Sequence, residues 1–569
     1  MTVSDYIVDF FVSKGIHDFF GYQGTMIAYF VDAIHRNADA RNHSCYNEQG
    51  ASFAACGYGQ VTGKCGVAYS TSGPGAVNLL SGIANAYFDS EPAIFITGQL
   101  NTYEYTGIPE MRQQGFQEID IVSMAKPVTK YAVQISDAKN IRCELEKAWY
   151  IANNGRKGSV LLDLPMNIQR TEIVPEELEG YVVESLPAFD KIDIEYINSE
   201  LHKSKRPLFL VGNGVTEDDR LKLQRFLETN EIPFATSLLA KDFMGGHWLN
   251  VGNVGNSYGN RLANLLVTEK TDLIVSVGIS LKRKQLGTDL AQFGKKAELI
   301  RIEIDGNELK NRIKENEIDY KADSHDFIAD LKNVRVTQDL SEWHQFIDKS
   351  RRIFTQHDSD NPQMYPNKYV EVLSDKVGSE YNIISDVGQH MMWMAQSFKL
   401  KFGQKVLYSG GHGAMGYSLP ASIGAYWGNG KPCLCVAGDG SFQMNIQELQ
   451  WVVREHLPIK IVVFNNHCLG MIRSVQEDYL ESRYEGVSEG NNYDSCRFVE
   501  IAKAYGIKSR KCSSLAEFAK IEFMGKVPEL IEVNMANDTL ALPKTFFGDA
   551  IYNQRPYIDQ KVLEELVKE

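Results

Sequence analysis

Two polar motifs in the C-terminal third of the chain carry the residue types that bind a diphosphate through a divalent cation. They are Gly438-Asp439-Gly440-Ser441 and Asn465-Asn466. Asp439 supplies a carboxylate and Asn466 an amide oxygen, the hard ligands that Mg²⁺ prefers. Glycines let backbone N–H groups approach phosphate, and a helix beginning near Ser441 would add its positive end. A Gly-Asp-Gly run alone is also typical of a tight turn, but the two motifs together favour a metal and diphosphate site.

The two motifs must be positioned by parallel strands that end beside each other. Apolar runs at 433–437 and 459–464 precede them, and residues 441–464 leave room for a helix before the second motif. Carboxyl ends of parallel strands share one edge of the sheet, where ligands bind. Similar apolar runs recur along the chain at 66–70, 93–97, 208–211, 272–277 and 382–386.

Helical patterns alternate with these runs, which predicts parallel sheets covered by helices on both faces. We therefore predict an α/β protein of three doubly wound parallel-sheet domains, at 1–170, 185–340 and 360–550. Two polar segments, at about 171–205 and 336–366, are predicted as connectors, and the second includes the turn-rich run 357–362.

Composition excludes several classes of function. The chain has 569 residues, with 59 Lys and Arg against 73 Asp and Glu, and a net charge of −14. With no long basic run, a nucleic-acid or polybasic membrane surface is not expected. No stretch of about 18 uncharged apolar residues predicts a membrane span, and the N-terminus has no signal-peptide pattern. The nine cysteines are scattered without Cys-x-x-Cys spacing, so we expect reduced thiols in a cytoplasmic protein.

The C-terminal motifs resemble a known signature. Gly438-Asp439-Gly440 with Asn465-Asn466 resembles the metal-diphosphate signature of thiamine-diphosphate enzymes, and the run from Asn466 to Ile472 is similar to that of the acetolactate synthase branch. The resemblance covers nearly the whole chain, in the order pyrimidine-binding, central and diphosphate-binding domains. It implies thiamine diphosphate and Mg²⁺ as cofactors. The implied metal ligands are Asp439, Asn466 and the backbone carbonyl of Cys468, and the implied diphosphate-binding residues are Gly438, Gly440, Ser441, Gly470 and Met471.

Two further segments agree with this resemblance. Val387-Gly388-Gln389-His390 follows a predicted strand, and the family's second diphosphate contact implies roles for Gln389 and His390. A lone histidine there would more often be an ordinary loop residue. Gly413-Ala414-Met415-Gly416 resembles the segment that holds the aminopyrimidine, with the Gly413 carbonyl accepting from its amino group and Met415 bending the cofactor. Met415 alone could equally fill a core.

A glutamate in the first domain is the predicted activating residue. Glu48 leads into a helix of small residues, Ala54-Ala55-Cys56-Gly57-Tyr58-Gly59, where a solvated surface charge is less expected. In the family, a glutamate at this point hydrogen-bonds the aminopyrimidine ring nitrogen. Family members place it on one subunit and the diphosphate on its neighbour, so the resemblance implies a homodimer with active sites at the subunit interface, or a tetramer.

The segment Gly115-Phe116-Gln117-Glu118 resembles the substrate-facing element of acetolactate synthases, and it favours pyruvate as the donor. A helix N-terminus with Glu in its first turn is the alternative interpretation. Three positions depart from the synthases. Thr25 stands where they have glycine, Met166 where they have lysine, and Val475 where a tryptophan packs on the acceptor. Losing an indole opens space for a larger acceptor.

The sequence of the central block leaves open whether this domain binds FAD. Gly212-Asn213-Gly214-Val215 could approach a dinucleotide, but Lys284 stands where an FAD-contacting arginine is expected, and lysine cannot make its bidentate contact. Tyr258-Gly259-Asn260-Arg261 and the residues after it resemble relatives from sugar and surface-polysaccharide pathways.

The first hypothesis is therefore a carboligase that decarboxylates pyruvate, or a similar 2-oxoacid, and transfers the acetyl-like unit to an acceptor carbonyl, with a keto-sugar nucleotide as the candidate acceptor. Gln117 and Thr25 are predicted to orient that acceptor. A different hypothesis is an acetolactate synthase large (catalytic) subunit. A hydrolase of a cyclic diketone and a catalytically silent binding homologue are also compatible with the fold, but the presence of Glu48, Asp439 and Asn466 disfavours silence.

Overall fold

The computed structural model describes residues 1–105, 108, 110–183, 188–546 and 548–569. Within these ranges the chain forms three sheets of six strands each and one two-stranded ribbon. Every strand pair in the six-stranded sheets is parallel, and helices cover the sheets. This confirms the predicted class of three α/β domains. No helix in the described ranges is long and apolar enough to span a bilayer.

The N-terminal domain contains the first sheet. Its elements are α1 (Val3–Ser13), β1 (Asp18–Gly21), α2 (Ala28–Arg36), β2 (Arg41–Ser44), α3 (Glu48–Thr62), β3 (Gly66–Ser70), α4 (Pro74–Phe88), β4 (Ala93–Gln99), α5 (Ile121–Ala125), β5 (Tyr131–Gln134), α6 (Ile141–Asn153), β6 (Ser159–Pro165) and α7 (Met166–Gln169). The strand order is β2-β1-β3-β4-β6-β5. Strands β3, β4 and β6 are buried along their whole length, as their continuous apolar runs predict.

The central domain contains the second sheet. Its elements are α8 (Ile194–Lys203), β7 (Pro207–Val211), α9 (Glu217–Thr229), β8 (Phe234–Thr236), β9 (Asn250–Asn253), α10 (Arg261–Leu265), β10 (Leu273–Val277), α11 (Arg283–Leu286), β11 (Glu298–Glu303), α12 (Gly306–Leu309), β12 (Ile318–Lys321), α13 (Ser324–Asp330) and α14 (Ser341–Asp360). The order β9-β8-β7-β10-β11-β12 is that of dinucleotide-binding folds, whose topological switch point here lies between β7 and β10.

The C-terminal domain contains the third sheet. Its elements are α15 (Tyr365–Lys376), β13 (Asn382–Ser385), α16 (Gln389–Ser397), β14 (Val406–Tyr408), α17 (Ser418–Asn429), β15 (Cys433–Gly438), α18 (Asp439–Gln443), α19 (Leu449–Arg454), β16 (Ile459–Asn465), α20 (Gly470–Tyr479), α21 (Phe498–Ala504), β17 (Lys508–Cys512), α22 (Leu515–Phe518) and β18 (Glu529–Asn534). The order β14-β13-β15-β16-β18-β17 repeats that of the first sheet. Strands β15 and β16 are neighbours, so their carboxyl ends meet, as the motif argument predicts.

The chain then returns to the central domain. A ribbon of β19 (Lys544–Thr545) and β20 (Gln554–Arg555) leads into the last helix, α23 (Gln560–Lys568). Ile551, Ile558 and Leu566 join the core of the central domain. The sequence pattern did not predict this return.

Both predicted connectors contain helix. The 336–366 segment is mostly α14, because Trp343, Phe346, Ile347 and Phe354 recur at helical spacing and bury one face against the central domain. The turn-rich prediction for 357–362 was therefore wrong up to Asp360, where the helix ends before Pro362. The predicted domain start at residue 185 lies outside the described residues.

The N- and C-terminal domains share one hydrophobic core. Helices α3 and α17 cross at glycines, so their backbones come very close. A Cβ at Gly57 would lie 2.2 Å from the carbonyl oxygen of Ala421, and one at Gly424 would lie 1.8 Å from that of Ala54. The Ala/Gly composition of α3 is therefore explained by this close packing.

A histidine cluster, made of His43, Asp18 and Glu455, joins the same two domains. His43 is buried, with Nε2 2.8 Å from Asp18 Oδ1 and Nδ1 3.4 Å from Glu455 Oε2. Trp427 donates its indole N–H to Glu455 at 2.9 Å. Burial lowers the pKa of His43, but its hydrogen bonds to the two carboxylates outweigh burial and the net shift is upward.

Candidate active site

The two predicted metal motifs meet at the carboxyl edge of β15 and β16. Asp439 begins α18, and its Oδ2 accepts from the backbone N–H of Cys468 at 2.9 Å, while Oδ1 accepts from that of Gly440 at 2.9 Å. The helix thus begins at Asp439, two residues before the predicted position near Ser441. Burial raises the pKa of the Asp439 carboxyl to about 6, against the opposing effect of these N–H donors. A bound divalent cation would favour the ionised form.

Gln389 connects the second metal motif to the proposed diphosphate site. Asn466 donates from Nδ2 to Gln389 Oε1 at 3.0 Å, so its side-chain oxygen is the atom that can bind a cation. Gln389 donates in turn to the carbonyl of Thr539 at 2.8 Å. A Cβ at Gly470 would lie 2.2 Å from Gln389 Oε1. Glycine at 470 therefore leaves space for the side chain that orients Asn466.

His390 lies beside these residues at the start of α16. Burial lowers its pKa to about 3, so the imidazole is neutral. Its ring lies against Gly438, where a Cβ would be 2.9 Å from Nδ1. Its Nε2 is buried and has no hydrogen-bond partner among the described residues. A buried polar atom of this kind is costly unless a ligand satisfies it, so this cluster fits a bound diphosphate.

The segment predicted to hold the aminopyrimidine follows β14. Gly413 has a φ of +70°, which glycine adopts without strain. Apart from its two chain neighbours, no described residue has an atom within 4 Å of a Cβ placed there. Met415 reaches the diphosphate motif, since its Cε would be 3.5 Å from a Cβ at Gly440. The buried carboxylate of Asp386 accepts from the backbone N–H groups of Gly416 and Ser418 at 2.9 and 2.8 Å.

Glu48 is the first residue of α3, whose N-cap is Asn47. The carboxylate is buried, at 8% exposure, and accepts from Asn78 Nδ2 at 2.9 Å. A Cβ at Gly75 would lie 3.0 Å from Glu48 Oε1. The glutamate is thus held by the first turns of α4 within its own domain. The prediction that it is not an ordinary surface charge agrees with this burial.

The glycine-rich turn from Thr71 and the first residues of α4, up to Asn78, contact the segments that contain the predicted catalytic residues of the first domain. Besides holding Glu48, this stretch contacts the Thr25 segment, because Thr71 Oγ1 accepts from the backbone N–H of Met26 at 3.3 Å. Gly73, at φ +61°, packs against Gln117, whose Cβ would be 2.9 Å from a Cβ at Gly73. The structure therefore brings Thr25, Glu48 and Gln117 around one glycine-rich turn.

Residues 115–118 form a turn and not a helix, so the alternative of a helix N-terminus was wrong; the next helix, α5, begins at Ile121. Gln117 has a φ of +65°, and Phe116 is 76% exposed. Val475, on α20 of the C-terminal domain, is 46% exposed. Met166 begins α7 and is half-buried.

Several residues of the site were missed by sequence reasoning. Asp386 and Asn78 each hold a predicted segment or residue in place but lack a distinctive motif of their own. Asn445 is another, since it links Gln49 of α3 to the carbonyl of Gly416 at 3.0 and 2.9 Å. Position after a strand end could have singled out Asp386 alone.

The glycines of the central domain have a structural explanation. A Cβ at Gly212 would lie 1.9 Å from the carbonyl oxygen of Gly278, and one at Gly214 would lie 2.8 Å from its Cα. The two loops at the switch point therefore pack on each other, and these glycines by themselves do not point to a dinucleotide. Lys284 is exposed on α11. FAD stays a prediction.

Comparisons with known proteins agree with this geometry. Three family models match, described as the thiamine pyrophosphate enzyme N-terminal TPP binding domain (residues 1–124), central domain (194–331) and C-terminal TPP binding domain (386–533). The chain is therefore a thiamine-diphosphate-dependent enzyme. An acetolactate synthase large subunit of Lactococcus lactis is 33% identical over 93% of this chain and 92% of its own length. The acetolactate synthase isozyme 2 large subunit of Escherichia coli is 31% identical over 89% of this chain and 90% of its own length.

A probable acetolactate synthase large subunit of Methanocaldococcus jannaschii is 32% identical over 97% of this chain and 95% of its own length. The chain belongs to the acetolactate synthase-like branch of the thiamine pyrophosphate enzyme family. The predicted family, its thiamine diphosphate cofactor and the class of carbon–carbon bond-forming enzymes are confirmed.

Proposed function

We propose that the chain is the catalytic subunit of an acetolactate synthase, which decarboxylates pyruvate and transfers the remaining two-carbon unit to a second 2-oxoacid. The observation that carries this proposal is the similarity, along nine-tenths of the chain, to relatives that bear this name. These relatives do not support our first hypothesis, a keto-sugar nucleotide as acceptor.

When bound, thiamine diphosphate supplies the chemistry for loss of CO₂ from a 2-oxoacid and transfer of the acyl unit. In this proposal Asp439, Asn466 and the Cys468 carbonyl hold Mg²⁺. Gln389 and His390 contact the diphosphate, with the backbone of Gly438, Gly440, Ser441, Gly470 and Met471 around it. The burial of Asp439 supports this arrangement. A buried carboxylate is costly unless a charge of opposite sign pairs with it, and the cation would supply that charge.

Glu48 has the proton-handling role at the aminopyrimidine in this proposal. Among the described residues, Asn78 donates to Oε2 of this buried carboxylate. In this proposal Oε1 is the oxygen that binds the ring nitrogen. Gly413 and Met415 of the C-terminal domain would hold the same ring. Gln117 and Thr25, on the side of the turn that also holds Glu48, orient the acceptor.

We also propose a homodimer in which Glu48 of one subunit acts on the cofactor of the other. Exposed apolar side chains occur in both of the domains that contribute to the site, and such an interface would cover them. They are Tyr22, Val77, Tyr103 and Phe116 in the N-terminal domain, and Met444, Ile472 and Val475 in the C-terminal domain. Large exposed apolar patches mark interaction surfaces.

A second candidate is transfer to a carbonyl acceptor larger than a 2-oxoacid. Val475 favours it, because its side chain is smaller than the indole that stands at this position in the synthases and so leaves space for a larger acceptor.

The test is turnover of ¹³C-labelled pyruvate by the purified protein with thiamine diphosphate and Mg²⁺, followed by NMR. Acetolactate formation is the expected result. CO₂ release without acetolactate would replace the first candidate by the second, and keto-sugar nucleotides would then be added as acceptors. Absence of pyruvate consumption would overturn both. Parallel reactions with and without FAD decide whether the central domain needs it.

A further inference from the structure

The segment Ser409 to Gly416, here called the cofactor loop, contains the residues proposed to hold the aminopyrimidine ring. Its C-terminal end is held within its own domain by Asp386, which accepts from Gly416. At Gly413, in its middle, no described residue other than the two chain neighbours has an atom within 4 Å of a Cβ placed there. The conformation of the middle therefore depends on how the two ends are held.

The N-terminal end of the cofactor loop is held by a different domain. Asp89, directly after α4 in the N-terminal domain, accepts from the backbone N–H of Gly410 at 3.0 Å through Oδ2. Its Oδ1 accepts from that of Gly411 at 2.5 Å. Asp89 is 3% exposed. Both oxygens of one buried carboxylate thus bind consecutive N–H groups of the loop.

Asn85, one turn earlier on α4, makes a second connection. Ser409 donates its hydroxyl to Asn85 Oδ1 at 2.5 Å, and the same hydroxyl oxygen accepts from the backbone N–H of Ala414 at 2.8 Å. Ala414 lies between Gly413 and Met415. The relay therefore joins α4 to the two residues that face the cofactor ring.

We propose that Asp89 and Asn85 are positioning residues, which set the conformation of the cofactor loop from the N-terminal domain and so fix where Gly413 and Met415 meet the aminopyrimidine. This inference rests on the cofactor site of the proposed function. It does not depend on which acceptor the enzyme uses.

The carboxyl of Asp89 accepts from both N–H groups most strongly when it is ionised, because the O–H oxygen of a protonated carboxyl is a weak acceptor. The titratable groups that face it are Glu91 after α4, Cys56 of α3 and Tyr417 beside α17, and His412 of the loop stacks on Phe88. Burial raises the pKa of Asp89 to about 7, and the N–H groups of Gly411 and Gly410 oppose the shift. Burial likewise raises the pKa of Glu91. Protonation of Asp89 would weaken the hydrogen bond to one of the two N–H groups.

The experiment compares Asp89→Asn with Glu91→Gln in the full-length protein. An asparagine at 89 would turn its amide N–H₂ toward one of the two backbone donors. Glu91→Gln is the control, since Glu91 is buried and two residues after Asp89 but binds Gln60 of α3 and not the cofactor loop. Because the charges of Asp89 and Glu91 interact, the variants are compared at a pH well above the raised pKa of Asp89, where Asp89 is ionised with or without Glu91. Hydrogen exchange of residues 409–416 is measured by mass spectrometry without cofactor, and the Kd of thiamine diphosphate is measured by calorimetry with Mg²⁺.

We expect Asp89→Asn to speed exchange of the Gly410 and Gly411 amides by about tenfold, the equivalent of one hydrogen bond. The Kd should rise by a similar factor, and Glu91→Gln should change neither. Unchanged exchange of these amides in Asp89→Asn, or an unchanged Kd, would overturn the proposal.

A milder variant covers the case in which Asp89→Asn does not fold. Ser409→Ala removes only the hydroxyl of the relay, and we expect it to raise exchange at Ala414 and the Kd of the cofactor. Unchanged values would then refute the relay. Exchange and cofactor binding need no substrate, so they decide the inference even if pyruvate is not consumed.

Discussion

The role of Glu48 can be tested by a change of one atom, Glu48→Gln. Glutamine keeps a side-chain oxygen that can accept from Asn78, as the carboxylate does at 2.9 Å. We therefore expect the free energy of unfolding to change by less than about 1 kcal/mol, the net worth of one hydrogen bond. Glutamine cannot take up or release the proton that a carboxylate shares with a ring nitrogen.

The expected loss of turnover follows from that missing proton transfer. Acid–base groups contribute about 10²–10⁴-fold to rates, which corresponds to roughly 3–5 kcal/mol of activation free energy. Pyruvate consumption at saturating thiamine diphosphate and Mg²⁺ is the assay, with thermal unfolding of the same samples. A fall in kcat of two or more orders of magnitude with an unchanged Tm is the expected result.

A matched control is Glu144→Gln. Glu144 also lies in the first turn of a helix of the N-terminal domain, and its carboxylate accepts from Tyr131 Oη at 2.5 Å. This variant should retain wild-type turnover. The reasoning is refuted if Glu48→Gln retains kcat within about threefold of the wild type, since acid–base catalysis is worth more than that.

Three further perturbations follow from the geometry. Gly470→Ala places a Cβ 2.2 Å from Gln389 Oε1, so we expect displacement of this ligand-orienting side chain and a 10–100-fold rise in the Kd for Mg²⁺, measured by calorimetry. Val475→Trp should lower kcat/KM for acceptors larger than pyruvate by about tenfold, measured in competition. The pKa of His43 is raised in the folded protein, so its contacts with Asp18 and Glu455 stabilise the fold. This stabilisation is fully present below the unfolded pKa of about 6.5 and is lost as the pH rises through the folded pKa. The Tm difference between the wild type and His43→Gln should therefore shrink as the pH rises above about 6.5, and a constant difference would contradict this sign.

Sequence reasoning predicted best what depends on residues close together in the chain. Each strand of β15 and β16 is a continuous apolar run that ends in its polar motif. Because adjacent parallel strands end at one edge, a motif after each run was enough to place Asp439 near Cys468 and Asn466. The three sheets followed from the same pattern.

What could not be predicted depends on contacts between distant segments. Asp89 and Gly411 are separated by 322 positions, and nothing in either local pattern pairs them. The turn prediction within α14 failed for a related reason. Polar residues at its end, such as His357 and Asp358, resemble a turn locally, but Arg261 binds Asp358 at 3.0 Å and the central domain covers the apolar face. Tertiary packing overrides local propensity in such places.

Helix α4 connects the two halves of the proposed chemistry. Its first turns hold Glu48 through Asn78, and its last turn and the residue after it hold the cofactor loop through Asn85 and Asp89. In the proposed dimer, Glu48 serves the partner's cofactor while the cofactor loop serves the cofactor bound in its own chain. A rigid helix of 15 residues would then fix the position of two residues that act in different active sites. Displacement of either end of α4 should therefore disturb both sites of the dimer. The positioning role of Asp89 explains why a carboxylate is buried here although its burial is costly.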